Sequence, residues 1–143
     1  MSLDSLRHLT RDILQMMEEI LRSGEPPIDV EQLAALRKRV ALAHSRFFVV
    51  QEQAVLQPLR RSSDPALAAL ARYCVERDLE GRHLGLAHHQ RWPLARIAED
   101  PAGYRRDVRR FLRWLEGRVQ FAEESAYPAL AKIISSPGQR SAD

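Results

Sequence analysis

Apolar residues recur at alternating three- and four-residue steps through four long segments, and this period commits the chain to helices. In the first segment, residues 3–22, Leu6, Leu9, Ile13, Met16 and Ile20 make one stripe, and Ser23-Gly24-Glu25-Pro26-Pro27 breaks it. A second helix is expected from Val30, with Asp29 as N-cap and Gln32 three residues on. Its stripe runs through Leu33, Leu36, Val40, Ala43, Phe47 and Ala54, and it should end near Leu59. Asp64-Pro65 and Asp100-Pro101 each place a capping carboxylate before a proline, which marks the start of the third and fourth helices. The third carries Leu67, Leu70, Ala71, Cys74, Gly81, Gly85, His88 and Trp92 on one face until Pro93 ends or kinks it. The fourth, residues 102–134, has Val108, Phe111, Leu112, Leu115, Val119, Ala122 and Ala126 on its stripe, with a kink expected at Pro128.

Short connections between long helices imply an all-α fold, an antiparallel up-down-up-down four-helix bundle. Its 143 residues fit one domain with its own core. The expected bundle spans residues 1–134, and 135–143 form a polar tail expected to be flexible. Arginine supplies nearly all the positive charge, since Lys38 and Lys132 are the only lysines, and the net +3 is spread along the chain. It permits an acidic partner without demanding one. Cys74 is the only cysteine, which excludes a disulfide framework and a cysteine-rich zinc site. The first fourteen residues are amphipathic and carry Asp4 and Asp12, unlike a signal peptide, and no apolar run reaches membrane-spanning length. The expected compartment is the cytoplasm.

The ends of the second and fourth helices are alike. Gln51-Glu52-Gln53-Ala54-Val55-Leu56-Gln57-Pro58-Leu59 and Ala122-Glu123-Glu124-Ser125-Ala126-Tyr127-Pro128-Ala129-Leu130 both run from acidic or amide residues through apolar ones to proline and leucine. These paired hairpins resemble the hemerythrin-like (HHE cation-binding) family, over roughly residues 3–134. The resemblance implies a bundle holding two iron ions between histidines and carboxylates of facing helices. On the second and fourth helices a histidine would precede the acidic residue by one turn, on the same face. This chain has Phe48 one turn before Glu52 and Val119 one turn before Glu123. Thr10 stands at the core position expected to carry a histidine on the first helix, with His8 facing outward, and Arg77 or Asp78 falls near the ligand position on the third. Against the family pattern, the di-iron site is degenerate.

Five residues remain as candidates for a ligand pocket: His44, Glu52, Asp78, His88 and Glu123. Either they line one polar pocket, an altered metal or small-ligand site, or the histidines are hydrogen-bonded at the core edge with the carboxylates solvated or paired to Arg77. His83, His88 and His89 are spaced as a surface cluster, and Arg105, Arg106, Arg109, Arg110 and Arg113 as a solvated stripe without a base-reading motif. Gly81 and Gly85 offer room for a close helix or for a ligand. No nucleophile is set up for catalysis, because Cys74 lacks an activating histidine. The expectation is a non-enzymatic binding or regulatory protein with no cofactor, whose partner is an unidentified protein or small molecule rather than nucleic acid or a membrane. The alternative is a metal-binding protein, or a gas or redox sensor, that holds iron through altered ligands.

Overall fold

In a computed structural model, which describes residues 2–135, the chain is all-helical, with no strand among the described residues. Seven α-helices follow one another: α1 (Leu3–Ser23), α2 (Val30–Gln51), α3 (Gln57–Arg61), α4 (Pro65–Arg91), α5 (Leu94–Glu99), α6 (Pro101–Phe121) and α7 (Tyr127–Ser135). Past Ser135 the expected polar tail lies outside the described residues. No described helix is long and apolar enough to cross a membrane.

The helix starts are set by short polar side chains, as the sequence implies. Asp29 accepts from the Gln32 amide at 3.1 Å, Asp64 from that of Ala66 at 2.9 Å, and Asp100 from that of Gly103 at 3.0 Å. Each satisfies an amide that has no partner inside its helix. At Gly103 a Cβ would run into the Asp100 carboxylate, so this cap requires glycine. Pro93, which cannot continue a helix, separates α4 from the short α5.

Two π-helical turns, Glu52–Leu56 and Ala122–Ala126, carry α2 into α3 and α6 into α7 without a break. Their cause lies two residues beyond each turn. Pro58 and Pro128 have no amide hydrogen, and in an α-helix their rings would strike the carbonyl four residues back. Widening the preceding turn avoids the clash, and the residue before each proline bonds five residues back: Gln57 to the Glu52 carbonyl and Tyr127 to that of Ala122. The expected kink at Pro128 is therefore a widened turn, and the sequence likeness between the two stretches is also a structural one. The extra residue shifts the apolar stripe of the second helix. Val55 and Leu56 are buried where Ala54 was expected to lead.

Apolar burial divides into two clusters. One joins Ile13, Met17, Ile20, Leu33, Leu36, Trp92, Ile97, Tyr104 and Val108; the other joins Leu6, Val55, Leu59, Ala71, Cys74, Ala126, Tyr127 and Leu130. On α1, α2 and α6 the chain passes from one cluster to the other through residues that are polar or half-buried: Thr10, His44 and Arg118. At the start of α6, Arg105 reaches back to α1, donating to the Leu21 carbonyl at 3.1 Å and to Glu25 at 2.9 Å. It leaves the expected solvent stripe, of which Arg106, Arg109, Arg110 and Arg113 remain exposed.

Candidate functional site

The polar residues between the two clusters border a cavity of about 230 Å³, lined from α1, α2, α4, α6 and α7 and from the second π turn. Its walls are mainly Ile13, Phe47, Phe48, Phe111, Trp114 and Val119. Phe48 and Val119 thus face the interior, as their positions suggest, but both are only half-buried because they border open space. Gly81 makes room for the Trp114 indole, which a Cβ would strike; Trp114 in turn donates to Glu80 at 3.0 Å.

Asp78 of α4 and Arg118 of α6 form an ion pair at this cavity. The Arg118 Nε donates to Asp78 Oδ1 at 3.0 Å, and Nη2 lies equally close to the same oxygen but outside hydrogen-bonding direction. Both residues are buried. Desolvation raises the Asp78 pKa, and the facing guanidinium opposes the rise without cancelling it. Nearby, Thr10 donates its hydroxyl to the Leu6 carbonyl at 2.8 Å. The His44 Nε2 is buried without a hydrogen-bond partner, and the Gln51 amide, also buried, is out of good hydrogen-bonding geometry yet near enough to Asp78 to oppose the rise in its pKa. Buried polar atoms are rarely left so.

A second cavity, of about 350 Å³, shares His44, Phe48, Gly81 and Phe111 with the first and extends toward α5. His88 is on its wall, stacked near Tyr104 with ring centroids 5.5 Å apart. The His88 Nδ1 meets Asp107 Oδ2 at 2.8 Å, and the same oxygen accepts from the Trp92 indole at 2.9 Å and from Arg91 at 3.0 Å. Burial lowers the pKa of His44 and outweighs Asp107 in lowering that of His88, so both rings are biased toward the neutral form.

The five sequence candidates are therefore only partly brought together. His44, Asp78 and Glu123 border the first cavity, and His44 and His88 border the second. Glu123 sits at the mouth, bound by Arg7 at 2.8 Å, which holds its pKa below the usual value. Glu52 is off both cavities, in an outer groove between α2 and α4 that Asp78 also borders, and is paired with Arg60. Arg77 pairs with Glu80 at 2.9 Å rather than with Asp78. Of the histidine cluster, His83 and His89 are exposed, while His88 is drawn inward by Asp107. Cys74 is fully buried, and burial pushes its thiol pKa up, away from nucleophilic use.

Arg118, Gln51 and Asp107 were not singled out as site residues by the sequence. Arg118 follows Leu115 by three positions on the apolar stripe, and Asp78 precedes Gly81 by three, so opposite charges on facing stripes were the available signal.

The residues do not fit the two irons that the family resemblance implies. Among the described residues, no three of histidine, cysteine, aspartate or glutamate come together in a way that could hold a metal ion. Each carboxylate candidate already faces a guanidinium, a cation in the place where a metal would add more positive charge. Comparison with protein-family models, with curated proteins and with solved structures returns no match to this chain.

Proposed function

We propose that this chain is a hemerythrin-like, antiparallel up-down-up-down four-helix bundle in which an ion pair has taken the place of a di-iron centre, and that it acts as a non-enzymatic binding protein for a small molecule held in its interior. The observation that carries this reading is the pair of adjoining cavities, walled by aromatic residues and sharing His44, whose Nε2 is buried without a hydrogen-bond partner. Apolar walls with a few convergent polar groups are the usual make-up of a small-molecule site. A cavity of about 150 Å³ is enough to admit benzene, so both are large enough for a one-ring ligand.

The repeated π turns and the short links between long helical stretches support the bundle reading. The absence of an activated nucleophile beside the cavities favours binding over catalysis, since Cys74 is buried in the apolar cluster away from them.

Two measurements test the reading. Protein expressed in iron-replete medium without a histidine tag is expected to carry far less than one iron per chain. The neutral fluorescent probe 2-naphthol is expected to bind saturably, with about one site per chain, and to raise the melting temperature. Stoichiometric iron would overturn the loss of the metal centre, and no saturable uptake of the probe would overturn the interior binding site.

A further inference from the structure

The two cavities differ in the charge of their lining, and the difference bears on what the larger one accepts. The smaller is bordered by carboxylates as well as arginines. The larger is bordered by Arg37 of α2 and Arg82 of α4 and by no carboxylate at all. Neither arginine takes part in an ion pair among the described residues. Arg82 lies over Phe48, with its guanidinium carbon 4.2 Å from the ring centroid. Arg37 has its guanidinium carbon 5.9 Å from the Tyr104 ring and its Nη2 3.2 Å from His89 Nδ1. Two cations are thus held against the aromatic wall, where stacking orients them while leaving guanidinium N–H groups for another acceptor. Arg82 is exposed and Arg37 half-buried, which places this charge at the mouth of the cavity, whereas Phe111, Tyr104 and His88 form its inner wall.

We propose that the larger cavity binds an organic carboxylate with an aromatic body, the ring system lying among Phe48, Tyr104 and Phe111 and the carboxylate meeting a guanidinium at the mouth, that of Arg37 or of Arg82. This rests on the reading of the chain as an interior small-molecule binder and adds the chemical class of the ligand. A guanidinium is suited to a carboxylate because its planar fork presents parallel N–H donors to the two oxygens. At about 350 Å³ the cavity falls at the lower end of the range for small-molecule sites, a size for one or two fused rings rather than a long lipid. His88, turned by Asp107 and biased toward the neutral form, brings no buried positive charge into the apolar part.

The test is calorimetric titration of the full chain with 2-naphthoate and with its neutral isostere 2-naphthamide. Naphthoate should bind about tenfold more tightly, the difference expected from one charge-assisted contact. In the R37Q/R82Q double variant the preference should vanish while naphthamide binds as before. R109Q, which removes an exposed arginine of α6 away from the cavity, should leave both affinities unchanged. Equal binding of the two ligands to the unaltered chain, or a preference that survives in R37Q/R82Q, would overturn the carboxylate assignment but leave the interior site standing. Binding of neither compound, together with no uptake of the neutral probe, would bring down both. Loss of the preference in R109Q as well would show a diffuse charge effect and would also overturn the assignment.

Discussion

Asp78 and Asp107 have side chains of similar exposure, 10% and 11%, but Asp78 lies deeper among protein atoms, and their protonation is biased in opposite directions. Asp78 meets the Arg118 guanidinium through a single oxygen, with Arg82 and Gln51 adding a smaller downward pull, and desolvation wins, so its pKa rises. Desolvation also pulls Asp107 upward, but donors from His88, Trp92 and Arg91 converge on it and hold its pKa below the usual carboxylate value. Depth and donors act together: the deeper carboxylate has the weaker set of donors, and the shallower one has three that outweigh its desolvation. The Asp107 centre is a satisfied structural joint between α4 and α6. The Asp78 centre is under-satisfied, and it is the one that borders the smaller cavity.

The sharpest way to break this contrast is to remove a cation. Arg118→Leu leaves Asp78 buried without its partner and should cost about 3–5 kcal/mol in urea denaturation. Arg91→Leu, which takes one of several donors from Asp107 at a more open position, should cost about 1 kcal/mol or less. Similar losses for the two would mean that the centres are equally supported.

Asp107→Asn comes next, at about 1.5–3 kcal/mol, because charge-assisted bonds are weakened while the shape is kept. Its pH dependence sharpens the comparison. The folded pKa of Asp107 is depressed, so its contribution is present above the ordinary aspartate value of about 3.9 and is lost as pH falls through the folded pKa. The folded pKa of Asp78 is raised, so ionising it weakens the native state as pH climbs from about 3.9 through the folded value. Relative to the unaltered chain, Asp107→Asn should therefore become less harmful toward acid, and Asp78→Asn less harmful toward neutrality. Denaturation curves from pH 3 to 7 that give both variants the same slope would refute the assignment.

Val119→Ala should have a small effect, about 1 kcal/mol or less, since the side chain borders a cavity and is only half-buried. Smallest of all is the response to chelator. EDTA should leave the melting temperature unchanged, because an ion pair and not a metal joins α4 to α6 at Asp78. A chelator-dependent fall of several degrees would restore the metal reading.

The helix starts and the stop at Pro93 were legible in the sequence because caps and prolines act locally: Asp29, Asp64 and Asp100 each bond within three residues of themselves. The interior was less so. Periodicity put His44 on an inward face, and it lines both cavities, but it could not foresee that Gln51 rather than Glu52 would be buried beside the first π turn. Arg105 looked solvated because its helix face is, yet its long side chain reaches back across the end of α1. Arg118 was not read as inward-facing, although a charge on an apolar stripe signals a buried partner on a facing helix.

The widened turns also make the chain sensitive to length in a way that substitution alone would not expose. A π turn is in effect an α-helix with one residue to spare. Deleting a single residue from Glu52–Leu56 would restore ordinary helical phase and rotate everything beyond it by about 100° relative to α2. Leu59, now without solvent exposure, would swing out of the apolar cluster. The same holds for Leu130 beyond Ala122–Ala126. Over these two short stretches, point changes on the exposed side should be absorbed readily, whereas insertions and deletions should not be.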